Sequence, residues 1–245
     1  ISLDGRKETH DALRPTVNGK GSFDIILKNA QKLVAGRGDK EYYIRGTFTR
    51  NNLDFLEDVK ALTGFGFDQI SIEPVVLPPE SPYSLLPEHM ERIEREYDAL
   101  AAYYIEARKS PKSWFNFFHF MFDPEGGPCL RKRITGCGAG TEYVAVTPDG
   151  ELYPCHQFVG MPEWKLGTLE TGILRGDLQQ SFLGCNVCTK EACKSCWAKY
   201  YCSGGCMANA VLYGGALNRP HEISCRLMRK RSECAIGVYA AEQNE

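Results

Sequence analysis

Four cysteines fall within the fourteen residues Cys193-Lys-Ser-Cys196-Trp-Ala-Lys-Tyr-Tyr-Cys202-Ser-Gly-Gly-Cys206. Eight of the eleven in the chain lie between Cys185 and Cys234, and none precedes Cys129. Thiols this dense at short fixed spacings are a metal or disulfide signal and not a packing one. A secreted disulfide scaffold would be short, cysteine-rich throughout and usually even in count, which these 245 residues are not. The expectation is therefore metal-bound thiolates in a reducing compartment, the cytoplasm.

Hydrophobic residues make up 43% of the chain, enough for a sizeable core in one large or two modest domains. The net charge of -2 gives no basic field that would draw nucleic acid, and the run from Arg226 to Arg231 reads as a solvated helix face. No stretch of eighteen apolar residues occurs, so neither a membrane span nor a signal peptide is expected. Ile1-Ser2-Leu3 reads as the interior of a buried strand, and the chain is expected to begin inside a longer protein.

Before the cysteines, strand and helix alternate. Ser22 stands where it can cap a helix through Ile25, Ile26, Ala30 and Leu33, ended by Gly36, and Tyr42 to Phe48 follows as a strand. Leu53, Leu56, Val59 and Leu62 are spaced as a helix before Gly64, and Gln69 to Val76 is the next strand. A third helix starts near Pro87 and sets Met90, Ile93, Tyr97, Leu100 and Tyr104 on one face. Strands each followed by a helix imply parallel pairing, either half a β/α barrel or part of an open doubly wound sheet. Its open edge must meet further strands or a partner.

Sites in such folds gather at the carboxyl ends of strands, where Asp4-Gly5, Arg45 to Thr49 and Glu73-Pro74 fall. Arg45 and Glu73 read as ordinary surface charges. The aromatic stretch Ser113 to Phe122, His119 included, reads as core or interface. Gly64-Phe-Gly66 and Gly136-Cys-Gly138-Ala-Gly140 lack the spacing and the lysine of a phosphate loop. Tyr143 to Thr147 and Glu151 to Tyr153, joined by Pro148-Asp149-Gly150, read as a β-hairpin that returns Cys155 toward Cys137. A helix is expected from Met207 to Tyr213.

A single structural zinc on Cys193, Cys196, Cys202 and Cys206 satisfies the spacing, and a zinc-stabilised binding module is one reading. Cys137, Cys155 and Cys225 then remain as a surplus, and neighbouring ligands can serve different clusters. Gly204-Gly205 would let the backbone pass close to a bulky inorganic group.

The order Cys137, twelve residues, Gly150, four residues, Cys155, then Cys193-x2-Cys196-x5-Cys202-x3-Cys206 and finally Cys225 resembles the SPASM extension of radical S-adenosylmethionine (SAM) enzymes. Ile1-Ser-Leu-Asp-Gly5, His10-Asp11, Arg14 and Gly21-Ser-Phe-Asp24 are similar to the later strands of the radical SAM barrel. Arg45-Gly-Thr-Phe-Thr49, Tyr153-Pro-Cys-His-Gln-Phe158, Trp197-Ala-Lys-Tyr-Tyr201 and Lys230-Arg-Ser-Glu-Cys234-Ala resemble the maturases of six-cysteine peptides (SCIFF), which install sulfur-to-α-carbon thioethers in a ribosomal peptide.

The resemblance implies an α/β fold, the later half of a partial (β/α) barrel over residues 1–112, a bridging region over 113–136 and a SPASM domain with a β-hairpin and short helices over 137–245. It implies two auxiliary [4Fe-4S] clusters. Cys193, Cys196, Cys202 and Cys225 would hold one. Cys137, Cys155 and Cys206 would hold the other, whose fourth position falls to Cys129 or, as favoured, stays open for the substrate cysteine. Ser2 and Asp4 would contact the SAM ribose or shape the strand end, and Arg14 would face the SAM carboxylate. His156 stands where sulfatase-maturing relatives carry an acid after the cysteine, and could relay a proton or donate to a cluster sulfur.

Cys185 and Cys188 are expected as free thiols and Cys234 as a packing residue. The Cys-x3-Cys-x2-Cys loop that holds the SAM-cleaving cluster, the third, is absent from the sequence, so this portion alone is expected not to cleave SAM. Partners implied are a cysteine-rich precursor peptide, an electron donor such as flavodoxin or ferredoxin, and the N-terminal barrel segment. Another SPASM reaction, carbon-carbon crosslinking or maturation of an enzyme, is the enzymatic alternative.

Overall fold

A computed structural model describes residues 1–124, 126–127 and 129–244. The chain divides into two compact units, one formed by residues 1–123 with the stretch from Lys230 onward, the other by Pro124–Arg229.

The first unit begins with an extended segment. Ser2 bridges Arg45 in parallel, with Arg45 N–H donating to the Ile1 carbonyl at 2.8 Å and Leu3 N–H to that of Arg45 at 3.1 Å. Helices α1 (Lys7–Leu13) and α2 (Phe23–Ala35) follow, then strand β1 (Ile44–Phe48), helix α3 (Phe55–Gly64), strand β2 (Gln69–Pro74), a 3-10 turn over Pro87–His89 that runs into helix α4 (Met90–Arg108), and strand β3 (Asn116–Phe117). β1, β2 and β3 pair in parallel in that order, with Ile44 opposite Ile70 and Gln69 opposite Asn116. Helical crossovers between parallel strands account for the pattern.

Ile44 and Phe48 of β1 and Ile70 and Ile72 of β2 are buried beneath the helices. Phe48 stacks on Phe55 at 4.4 Å, and Phe55 packs on Tyr97 at 4.9 Å. All five residues expected on one face of α4 are buried. β2 ends at Pro74, which has no N–H for the ladder, although Val75 N–H still reaches the Phe48 carbonyl at 2.8 Å.

Three expectations need correction. The aromatic stretch is core, with Phe115, Phe117 and Phe120 buried, but it also supplies the third parallel strand, hidden because the exposed positions Trp114 and Phe118 that alternate with the buried ones are aromatic too. Ser22 sits at the start of α2 without capping it. Its hydroxyl donates to the Arg14 carbonyl at 2.6 Å, and Asp11 Oδ1 accepts the Phe23 N–H instead. The basic run is not wholly solvated. Helix α10 (Glu222–Glu242) buries Lys230 and Arg231 to 13% side-chain exposure, Lys230 on Asp98 and Arg231 on Glu73.

The second unit is built from short elements. Helix α5 (Leu130–Thr135) precedes a four-stranded antiparallel meander of β4 (Ala145–Val146), β5 (Glu151–Tyr153), β6 (Gly167–Thr168) and β7 (Gly172–Ile173). The hairpin between β4 and β5 turns at Gly150, whose φ of +79° suits glycine. Helices α6 (Gly176–Gly184), α7 (Glu191–Lys194), α8 (Lys199–Cys202), α9 (Met207–Gly214) and the start of α10 complete it. Phe158, Phe182, Tyr153 and Met207 form its core together with Cys155 and Cys185. Among the described residues no helix is long and apolar enough to cross a membrane.

Candidate metal centre

The thiols of the second unit fall into two sets. Gly136, at φ +71°, turns the chain out of α5, and a Cβ there would stand 2.9 Å from the Ser203 carbonyl oxygen. Gly140 N–H reaches the Pro154 carbonyl at 2.9 Å, tying the loop after Cys137 to the residue before Cys155. Tyr143 Oη lies 4.0 Å from Cys137 Sγ, and Gln157 Nε2 lies 4.0 Å from Cys206 Sγ. Burial pushes the Cys155 thiol up, and Cys206 and Cys137 push it the same way. Burial also raises the Tyr143 phenol, followed by the charges of Cys137, Cys155 and Cys206. Three thiols from three segments thus share one neighbourhood.

Cys193, Cys196, Cys202 and Cys225 make the second set. Cys193 ends its turn with its carbonyl accepting Cys196 N–H at 3.1 Å, and Cys225 enters on the first turn of α10. Burial raises Cys202, with Cys193 and Cys196 adding to it, and takes Cys225 up to about 11 with Cys202 and Cys193 acting in the same sense. Burial raises Cys193 as well, Lys190 opposing. The chain parts the sets at Ser203-Gly204-Gly205, whose φ values of +56°, +85° and +72° are all left-handed. Ser203 is the sole non-glycine residue with positive φ among the described residues, and its strain sits where Cys202 and Cys206 are sent to different partners.

Cys206 Sγ lies beside Gln157, and its charge acts on Cys155. Among the described residues no three His, Cys, Asp or Glu side chains converge on one ion position. All eleven cysteines are free.

The environment separates ligand-like thiols from structural ones. Cys185 Sγ donates to the Leu217 carbonyl at 2.9 Å, and Cys234 Sγ lies 3.9 Å from Asp98 Oδ1, so both are held as protonated donors. The backbone N–H groups of Gln157 and Phe158 instead work against the rise of the Cys155 thiol, and those of Gly204 and Gly205 against that of Cys202. Such donors favour thiolate. A Cβ placed on Gly205 would meet nothing within 4 Å, which leaves room beside Cys206. All-sulfur donor sets, amides aimed at sulfur and a side-chain-free wall fit an iron-sulfur cluster. Cys129 is exposed before α5, Cys188 is exposed, and His156 is exposed at the start of the 3-10 turn His156–Phe158.

In the first unit Asp4 is fully buried. Its carboxylate accepts Arg14 Nε at 2.5 Å, Arg14 Nη2 at 3.1 Å and Thr47 N–H at 2.9 Å, and so ties the first extended segment to β1. Ser2 is exposed beside Arg45, and the Arg14 side chain is 41% exposed. A cavity of about 260 Å³ opens at the carboxyl ends of these strands, lined by Arg6, Thr9, Thr49, Asn51 and Tyr83 among others.

Two clusters escaped the sequence reading. Buried Asp58 accepts from Arg6, Thr9 and Asn52. His119 Nδ1 lies 2.5 Å from Arg231 Nη2, and since a guanidinium only donates, the ring proton is on Nε2, facing Ser71 Oγ at 3.2 Å and Glu73 Oε1 at 3.4 Å. Glu73 is therefore no ordinary surface charge. Its signal in sequence was its place at a strand end beside Pro74.

Residues 137–197 match the family model of SPASM, an iron-sulfur cluster-binding domain. The chain thus carries a region that matches SPASM, and along most of its length it is similar to curated maturating enzymes. In particular, it is 27% identical over 221 residues to the cysteine-type anaerobic sulfatase-maturating enzyme of Clostridium novyi, covering 85% of this chain and 57% of that protein. It is also 27% identical over 226 residues to the mycofactocin maturase MftC of Mycolicibacterium smegmatis, covering 90% and 55%. The chain spans a little over half the length of these curated relatives.

Among solved structures, anSMEcpe with bound AdoMet superposes with a TM-score of 0.73 at 19% identity, covering 99% of this chain and 65% of that one. The complex of anSMEcpe with AdoMet and the Kp18Cys peptide gives 0.72 at 19%, covering 99% and 68%. These likenesses bear out the α/β fold expected from the sequence.

Proposed function

We propose that this chain works in a radical SAM/SPASM maturase that forms a sulfur-to-α-carbon thioether in a ribosomally made, cysteine-rich peptide. The single observation that carries this is the division of seven thiols into a set of four and a set of three. Cys193, Cys196, Cys202 and Cys225 would hold one [4Fe-4S] cluster. Cys137, Cys155 and Cys206 would hold the other, with its fourth position left to the peptide's cysteine. When bound, such clusters supply one-electron chemistry and an iron that takes a thiol as thiolate.

The chain's own groups prepare that site. Tyr143 and Gln157 stand beside Cys137 and Cys206 and can donate to their sulfurs. His156, next to Cys155, is exposed and can hold a proton released by the incoming thiol. At the strand ends Asp4 and Arg14 spend their charges on each other, which supports the strand-shaping role over direct SAM contact and leaves Ser2 as the group able to reach a ribose. A one-electron donor such as flavodoxin or ferredoxin would complete the system.

Anaerobic reconstitution tests the first half. About eight irons with matching sulfide and broad absorption near ~400 nm are expected, and colourless protein with one or two zincs would overturn the reading in favour of a binding module. Mass spectrometry tests the second half, with the chain joined to a segment bearing Cys-x3-Cys-x2-Cys and a cysteine-rich peptide as substrate. A thioether removes two hydrogens and blocks alkylation of one thiol. Loss of two hydrogens with every thiol still alkylated would mean a carbon-carbon crosslink instead.

A further inference from the structure

Lys190 is 1% exposed in the second unit, between the Cys185 and Cys188 segment and α7. Its ammonium carries three donors and a full charge. Among the described residues its one hydrogen-bond partner is the Gly204 carbonyl at 2.7 Å, and no carboxylate pairs with it. Three other lysines of this unit are paired with carboxylates: Lys132 with Glu142, Lys165 with Glu151 and Lys194 with Glu191. A buried charge without a counter-charge is among the least favourable arrangements a protein interior can hold. One that is built in this firmly implies an anion beside it.

The direction of that anion is marked. Cys193 N–H donates to the Lys190 carbonyl at 2.9 Å, which fixes Lys190 one turn before that thiol. Gly204 belongs to the segment that parts the two thiol sets, and a Cβ on it would stand 3.3 Å from Val187 Cγ1 and 3.6 Å from Lys190 Nζ. The φ of +85° calls for glycine there, and its carbonyl meets the ammonium between Cys202 and Cys206. Of the other cations in this neighbourhood, Arg229 already has Glu222 at 3.0 Å, and Lys199 is only half-buried, donating to the Lys194 carbonyl at 2.7 Å.

Resting on the iron-sulfur reading above, we infer that Lys190 is the buried counter-cation of the centre held by Cys193, Cys196, Cys202 and Cys225, and that it sets that centre's reduction potential. A four-thiolate cluster is a net anion in either redox state and more negative when reduced, so a fixed positive charge favours the reduced form. A plain backbone pin for Gly204 needs a donor and no charge. That difference can be tested.

The experiment uses the 245-residue chain, loaded anaerobically with iron and sulfide, and redox titration followed by electron paramagnetic resonance. Lys190→Gln keeps a donor and loses the charge; Lys190→Arg keeps both. In Lys190→Gln, iron content stays at the wild-type level and one of two midpoints moves negative, with the reduced-to-oxidised ratio falling about tenfold at fixed potential, or about 59 mV for one electron. The other midpoint stays, and Lys190→Arg lies near wild type.

Lys190→Met adds a second readout. Without clusters it is as stable as the wild type or more so; with clusters it is less stable. Unmoved midpoints in Lys190→Gln, two midpoints moved equally, or Lys190→Met equally destabilised with and without clusters overturn the inference alone. Wild-type protein that takes up no iron overturns the cluster reading as well.

Discussion

Asp58 offers the sharpest test of how the first unit is held. Its side chain is fully buried, and Oδ1 accepts Arg6 N–H at 3.0 Å, Arg6 Nε at 2.8 Å and Thr9 Oγ1 at 3.2 Å, while Oδ2 accepts Asn52 Nδ2 at 3.0 Å. In Asp58→Asn the amide oxygen must stay where three donors converge. Its NH2 group then meets the Asn52 NH2 group, donor against donor. Two buried amides left unpaired at about 1–3 kcal/mol each, less what relaxation recovers, give a loss of about 3–5 kcal/mol. Arg6 does not lose its charge balance, since Nη1 and Nη2 each hold Asp54 at 2.8 Å.

Asn52→Asp alone sets two carboxylates together and is also destabilising. Combined with Asp58→Asn it reverses donor and acceptor: Asp at 52 accepts from the new amide, and its other oxygen still takes Thr49 N–H and Oγ1 as the native Asn52 Oδ1 does at 2.8 and 3.0 Å. The double variant should therefore be more stable than the sum of the singles by about 2–3 kcal/mol. Urea unfolding reads this through Trp114, the one tryptophan of the first unit, once Trp164 and Trp197 are replaced by Phe. Additive losses, within about 0.5 kcal/mol, would refute the hydrogen-bond assignment.

Three further outcomes are expected. Cys155→Ala and Cys202→Ala should each lose one cluster, leaving about four irons of eight per chain by iron analysis, and the two together none. Gly5→Ala should cost about 4 kcal/mol or more in urea unfolding, since its φ is +120° and a Cβ there would stand 2.3 Å from the Asp58 Cβ. His119 is held well below its ordinary value by burial, then by Arg231 and Arg45, with Glu73 facing it. The unfolded chain takes up that proton below about pH 6.5 while the folded chain does not, so stability falls as pH drops, by up to about 1.4 kcal/mol per pH unit. In unfolding curves from pH 7 to 5, His119→Gln should remove this part of the slope and leave that of His10, which burial lowers in the same direction.

What local pattern could carry was legible. The apolar face of α4, the glycine at the hairpin turn and the spacing of seven cysteines are each set by residues near one another in sequence, where helical or strand period applies directly. The hidden parts depend on side chains that meet across long separations. Arg231 and Glu73 are 158 positions apart, and nothing near Arg231 in the sequence distinguishes it from the other basic residues of its run. Lys190 likewise looks like any surface lysine until the left-handed turn at Gly204 closes over it. β3 was missed for another reason: its stretch alternates in burial, but the exposed positions carry Trp114 and Phe118, so the sequence shows no alternation of polarity.

The two units settle their buried polar groups in different ways. In the first, Asp4, Asp58 and Glu96 each find donors within the chain: Arg14 and Thr47, Arg6 and Asn52, and the Leu56 N–H at 3.1 Å. In the second, strands of two or three residues and a core in which two of eight buried members are cysteines leave little apolar area to fix the backbone. There the amides aimed at Cys155 and Cys202 call for thiolate, and the ammonium of Lys190 calls for an anion, none of which the polypeptide provides by itself. Binding that satisfies all of them at once contributes directly to the folding free energy of the region it occupies. The buried carboxylates of the first unit are thus met by its own donors, and on the proposed reading the second unit is completed by what its sulfurs hold.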